Sequence, residues 1–312
     1  MKDESSIIDF KEDPSAVRRM VDYVVMATTG THDVASAWRS LVKPGDHVGI
    51  KISTAGGKLC STHKSVVEAI IDGLESAGID RKDVIVWDRD GLATAGYVNH
   101  PGGYQVRSIE PVRGYDPQAV ISSGVPGKLI WGDVDFAKRD PQQHGIVPTE
   151  KDQLSPDSHL CKILSQSVTK IINVPVLTTS EACGIAGCLY NVTVPNVDNW
   201  RRFGSGDSFM GDLYIDPRIG PKVVINIMDG LLAQYAGGPQ FQPGYLFPHG
   251  TIYASKDPVA LDTVALGQIE KWRSEAKLPR IGPLSVYLLT ASQMGIGACT
   301  PDRIDLRLVQ PQ

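Results

Sequence analysis

Five short apolar runs each hand over to residues able to do chemistry. Behind "VGIKI" come Ser53, Thr54, Gly56, Gly57, Lys58, Cys60, Ser61, Thr62 and His63, and behind "VIVW" come Asp88, Arg89 and Asp90. Behind "INVPVL" come Thr178, Thr179, Ser180, Glu181 and Cys183, behind "VVINIM" comes Asp229, and behind "TIYAS" come Lys256 and Asp257. If the runs are parallel strands, these residues share one rim, because ligands in open parallel sheets sit beyond the carboxyl ends of the strands.

The rim allows three chemistries. "STAGGKLCSTH" can bind an anion, its glycines letting the backbone approach and a helix start presenting free N–H groups; it is neither a P-loop nor GxGxxG, and a plain strand-to-helix turn is the alternative. Lys51 interrupts an apolar run, so it either finds a partner or snorkels to the strand end. Metal binding would draw on Cys60 and Cys183, with Glu181 and His63 near them in sequence, against the ordinary role of small buried thiols. Cys183 and Cys188 lie five apart, which points them away from each other on a straight helix. Asp88, Asp90, Asp229 and Asp257 could instead gather round a hard cation. Asp257 competes as a helix cap, and Asp229-Gly230 reads equally as a turn.

Hydrolytic chemistry has no GxSxG elbow or HExxH helix behind it. His32, His47, His100, His144, His159 and His249 are scattered over loops and strand edges. Arg201 and Arg202 in "NWRRFGSGDSFMGD" could clamp an acidic ligand or simply belong to a solvated loop.

The elements that must position these groups follow from periodicity. Residues 47–53 read as a strand, a helix opens at Ser61 or Thr62 and stops at Gly78, and Val84–Asp88 follows as a doubly covered strand; this is a right-handed βαβ unit. Residues 170–177, 222–228 and 251–255 read as further strands, each followed by polar or small residues and a plausible helix. Asp13 with Pro14, and Asp257 with Pro258, mark two helix starts. The fold class expected is α/β: a mainly parallel, helix-covered sheet of at least five strands in a single domain over residues 1–312. Residues 91–157 read as a loop-rich, partly β insertion with pieces such as "YQVRSIEPV" and "KLIWGDVDF", and "DRIDLRLV" near the end as a last edge strand.

Composition narrows the partners. The 312 residues carry a formal charge of -4 with no Lys/Arg run, which argues against a nucleic-acid partner. No apolar run is long enough for a membrane span. The five cysteines are odd in number and scattered, unlike a disulfide framework. The beginning lacks the basic-then-apolar pattern of a secretory signal, and Arg18 and Arg19 lie inside an amphipathic helix, so the sequence as given reads as cytoplasmic.

"VGIKIS", "VVEAIIDGLESAGI…VIVWD", "INVPVL…CGIAGCLYN", "MDGLLAQYAGGP" and "ASKDPVALDTVA", in this order over residues 42–268, resemble the domain of unknown function 362 family. The resemblance implies an association with iron–sulfur centres, often through an attached ferredoxin-like module, and hence a redox partner protein. No Cys-x-x-Cys-x-x-Cys run occurs, which argues against an iron–sulfur cluster in this chain. It also implies an alternative location, since one group within the family resembles exported proteins with twin-arginine signals. The family's block after "PVL" looks like Lys-Thr-His or Lys-Asp-His, then a Gly-rich turn ending in Lys-Asn; here stand Thr178, Thr179 and Ser180, then Tyr190 before Asn191.

The expectation is a ligand- or cofactor-binding site at the carboxyl ends of the parallel strands. It draws on Lys51, Ser53, Lys58, Ser61, Thr62, His63, Asp88, Thr178, Thr179, Ser180, Glu181, Asn191 and Asp229, with a metal or redox association through Cys60 and Cys183. The alternative is a non-catalytic binder of a small anionic ligand that has lost the family's basic site residues. The identity of any cofactor, and whether the protein is an enzyme, stay open at this point.

Overall fold

Alternating burial on two faces organises the chain. In the strand β4 (Val84–Asp88), Ile85 and Trp87 pack into one apolar cluster while Val84 and Val86 pack into another. In β8 (Lys170–Val174), Ile171 joins the first cluster, and Ile172 and Val174 the second. A strand whose successive side chains point to opposite faces must be covered on both, the condition of a parallel sheet between helical layers. Each fully buried Val, Leu or Ile contributes about 1.5–3 kcal/mol to that arrangement.

The computed structural model describes residues 1–110, 114–122, 157–198, 200–203 and 210–310. A small hairpin of β1 (Ile7–Ile8) and β2 (Lys11–Glu12) precedes α1 (Pro14–Thr29) and α2 (Val34–Arg39). The βαβ unit is β3 (Val48–Ile52), α3 (Lys64–Ser76) and β4. Next come β5 (Gln105–Ser108), a separate pair of β6 (Tyr115–Ser122) and β7 (Asp157–Cys161), then β8, β9 (Val176–Ser180) and β10 (Gly184–Ile185). β11 (Val223–Gln234) and β12 (Leu246–Ser255) complete the strands among the described residues. The eight-stranded sheet runs β10-β9-β11-β8-β3-β4-β5, with β12 also on β11. Pairings among β5, β4, β3, β8, β9 and β11 are parallel, whereas β10 on β9 and β12 on β11 are antiparallel. The expected α/β class with a mainly parallel sheet is therefore correct.

Helices α1 and α3 cover one face through Val17, Met20, Val66 and Ile70. The helices Cys188–Thr193, Pro258–Glu275 and Val286–Gln293 cover the other through Leu189, Val259, Ile269 and Leu288. Asp13 and Asp257 cap their helices as the sequence predicts, each accepting bonds from first-turn N–H groups.

Five details differ from the sequence reading. α3 opens at Lys64, with His63 at its cap position, rather than near Ser61 or Thr62, whose hydroxyls bond the Gly57 and Val174 carbonyls instead. The run over residues 170–177 is two strands, because Pro175 has no N–H to donate and separates β8 from β9. The run over residues 222–228 extends to Gln234, so Asp229-Gly230 is not a turn but the point where the register with β12 shifts. β12 returns antiparallel, since no crossover helix lies between it and β11. The "DRIDLRLV" stretch forms a short 3-10 turn and then no strand. Within residues 91–157, "YQVRSIEPV" supplies β5, the sheet edge, whereas "KLIWGDVDF" and His144 lie outside the described residues. Among the described residues, no helix is long and apolar enough to cross a membrane.

Candidate functional site

Lys51 on β3 is wholly excluded from solvent, at 0% exposure. A buried ammonium is costly unless its three protons are bonded. All three are: Nζ donates to Asp88 Oδ1 at 2.6 Å, to the Ile52 carbonyl at 2.8 Å and to Asn191 Oδ1 at 3.2 Å. Burial still pulls Lys51 below its ordinary pKa, with the Asp88 charge opposing. Of the two readings of Lys51, the partner is what the structure contains.

The polar contacts continue sideways through the sheet. Asn191 Nδ2 donates to Asn173 Oδ1 at 2.8 Å, and Asn173 Nδ2 donates to Asn226 Oδ1 at 2.8 Å and to the Cys188 carbonyl at 2.8 Å. Asn226 Nδ2 then reaches the Ser255 carbonyl at 3.2 Å. A chain of buried side chains thus links β4, β3, the Cys188–Thr193 helix, β8, β11 and β12. Asn173 and Asn226 are absent from the sequence expectation, although "KIINV" and "VVINIM" carry the signal that flagged Lys51: a polar residue inside an apolar strand.

The loop between β3 and α3 is held at both ends by carboxylates. At its start Asp88 Oδ2 accepts from the Thr54 amide at 2.8 Å and the Thr54 hydroxyl at 2.7 Å. At its end the fully buried Asp229 accepts, on Oδ2, from the His63 amide at 2.7 Å and pairs with His63 Nδ1 at 2.8 Å. Burial opposes protonation of His63, but the Asp229 charge and hydrogen bond outweigh it, leaving the imidazole above its ordinary pKa. Thr62 bridges the Ser53 amide at 3.0 Å and the Val174 carbonyl at 2.8 Å, and Ser61 bonds the Gly57 carbonyl. Lys58 projects into solvent.

The other candidates divide. Thr178, Thr179 and Ser180 are buried on β9, where the Thr179 hydroxyl accepts from the Gly238 amide at 3.1 Å and Ser180 Oγ accepts from the Cys183 amide at 3.2 Å. Glu181 is exposed and accepts from the Gly237 amide at 2.9 Å. Cys60 packs with Val176, Leu232 and Leu246, whereas Cys183 belongs to the large cluster with Ile185 and Leu189. Burial pushes the Cys60 thiol up to about 12 and the Cys183 thiol up to about 11. Among the described residues, no group of three His, Cys, Asp or Glu is placed to hold a metal ion. The side chains of Arg201 and Arg202 lie outside the described residues.

Sequence reasoning missed Asp262. From the Pro258–Glu275 helix it reaches the start of the Cys188–Thr193 helix, accepting from the Cys188 amide at 2.6 Å and the Leu189 amide at 3.1 Å. The helix pattern "DPVALDTVALG" gives no hint of this, because a lone Asp in a helix is ordinarily solvated. Burial raises its carboxyl to about 7, with those two amides opposing.

In front of this framework lies a cleft of about 110 Å³ at the carboxyl ends of β3 and β4. Ser53, Asp88 and Asn191 from the expected set line it, together with Arg89, Tyr190 and Trp200. The Arg89 guanidinium lies 3.9 Å from the Trp200 ring centroid, and its amide donates to Asp88 Oδ1 at 2.7 Å. The volume is well below the roughly 300–1,000 Å³ of drug-sized sites, so it suits a small ligand or a headgroup.

These features define an α/β protein with a polar cleft at the carboxyl edge of a parallel sheet, backed by a buried lysine and carboxylate. The chain belongs to the domain of unknown function 362 (DUF362) family, whose sequence profile matches residues 48–267. That span holds β3 to the middle of the Pro258–Glu275 helix, and so every residue of the cleft. A comparison with curated proteins gives no match.

Proposed function

We propose that the cleft binds a small organic anion, of carboxylate or phosphate type, without covalent participation of the cysteines. The observation that carries this reading is Arg89, whose guanidinium sits over the Trp200 ring at the cleft wall. A guanidinium held there is pre-organised, and its planar donor fork matches a carboxylate or phosphate edge. The Asp88 charge beside it is met by Lys51 at 2.6 Å, leaving Asp90, 3.4 Å from Arg89 and 54% exposed, as the competing carboxylate. An incoming anion replaces that loose contact with a closer one.

A metal or redox association through Cys60 and Cys183 has less behind it. Both thiols are buried, in separate apolar clusters, and burial raises the cost of forming the thiolate that metal ligation and redox chemistry need. A redox partner protein enters only with that reading.

The test is calorimetric titration of the purified protein with inorganic phosphate and with short mono- and dicarboxylates. Saturable binding that falls about tenfold or more in Arg89→Gln, with the thermal midpoint unchanged, supports the proposal. Absence of binding across the series, or equal binding by Arg89→Gln, overturns it. Elemental analysis and an ultraviolet–visible spectrum of protein prepared with and without oxygen test the metal reading separately.

A further inference from the structure

A larger cavity than the cleft lies elsewhere. A groove of about 580 Å³ lies between the end of α1, the turn from β12 into the Pro258–Glu275 helix, and the segment over residues 304–309. Because β12 runs antiparallel, Ser255 is level with Asn226 at the start of β11. The groove lies where β12 leaves the sheet beside the first half of β11, and it shares no residue with the cleft.

Its shape follows from small residues on three elements. Ala27 and Gly30 at the end of α1, Ala254 and Ser255 on β12, and Ala260 on the following helix leave space that larger side chains would fill. Val24, Leu261 and Val264 form apolar walls, and Ile304 and Val309 rest half-buried over the space. Residues 305–310 make none of the backbone–backbone bonds found among the described residues, so side chains alone hold this strap. The volume falls within the range of about 300–1,000 Å³ usual for small-molecule sites, which are mostly apolar with a few polar groups.

The charged side chains lining the groove sum to zero, Lys256 and Arg307 against Asp257 and Asp305, but they are not equally engaged. Asp257 spends its two oxygens on the Ala260 amide at 2.8 Å and the Ala298 amide at 2.8 Å. Asp305 and Arg307 pair with each other at 2.6 Å. Lys256 has no side-chain partner among the described residues, and is exposed at the rim. The Met1 ammonium also lines the groove but is buried and donates to the Ile252 carbonyl at 2.8 Å, so Lys256 is the exposed ammonium beside the apolar trough, complementary to a molecule with a hydrocarbon tail and a single negative head.

We infer that this groove is a second ligand site, taking an aliphatic carboxylate with its chain under the strap and its head at Lys256. The probe is decanoate, titrated into the full chain and followed by calorimetry. The expected result is saturable binding at one site, lost in Val264→Trp and weakened about fivefold or more in Lys256→Gln, the equivalent of about 1 kcal/mol. Lys256→Gln changes an exposed side chain, so its effect on binding is readable even if Val264→Trp perturbs folding. No saturable binding, or binding that neither substitution alters while circular dichroism and the thermal midpoint stay at wild-type values, overturns the inference. Decyl alcohol binding as well as decanoate would overturn the assignment of the anionic head to Lys256.

Discussion

Lys51 Nζ lies 2.6 Å from Asp88 Oδ1, and neither side chain is more than 9% exposed. The pair joins two neighbouring parallel strands, and its second carboxylate oxygen anchors Thr54 at the start of the β3–α3 loop. A buried ion pair is weak evidence of stability, but removing one partner strands the other charge. Lys51→Met should therefore lower the unfolding free energy by about 3–5 kcal/mol in urea titrations. Lys51→Met with Asp88→Leu should recover part of that loss. A single mutant costing less than about 1 kcal/mol would show that the pair is not buried as described.

His63 and Asp229 give a pH signature of defined sign. The folded imidazole is raised above its ordinary value, so the stability it confers is fully present below the unfolded pKa and is lost as pH rises through the folded one. The stability gap between wild type and His63→Gln should be larger at about pH 6 than at about pH 9, measured by urea midpoints. A gap that grows with pH would contradict the pairing.

Asp262 carries the opposite design, a carboxyl raised to about 7 by burial. Its protonated form is favoured in the folded state, so this group's contribution is full below the unfolded value of about 3.9 and declines as pH climbs to about 7. The decline, relative to Asp262→Asn, has an upper bound of about 4 kcal/mol. The same contact forbids a side chain at Gly187, whose added Cβ would overlap an Asp262 carboxylate oxygen. Gly187→Ala should cost about 2 kcal/mol or more, read from the thermal midpoint.

The thiols divide by exposure. Cys60, Cys161, Cys183 and Cys188 are buried and Cys299 is half-exposed. An aromatic disulfide reagent at neutral pH should titrate one thiol in native protein, Cys299, and all five after unfolding. Rapid reaction of Cys60 or Cys183 in native protein would restore the redox reading.

The candidate site was legible where local rules govern. Lys51 announced itself by breaking an apolar strand, Asp13 and Asp257 by preceding Pro at helix starts, and Ser53 and Asp88 by following strands. Asn173 and Asn226 gave the same signal as Lys51 in their own strands. Arg89 was on the rim but undistinguished, because its contact with Trp200 joins positions more than a hundred residues apart. Lys58 and Glu181 followed strands equally well, yet both face solvent, since position after a strand does not fix which way a loop side chain turns.

By itself the sequence determined the class of fold and the edge of the sheet where polar groups gather, because burial periodicity and capping are local and repeat along the chain. Only the tertiary structure decided which groups meet. Lys51 is paired rather than snorkelling, Asp229 lies within a strand rather than a turn, and β12 runs antiparallel. Each outcome depends on a partner distant in sequence, since a buried charge or polar group persists only where another element brings its hydrogen bonds.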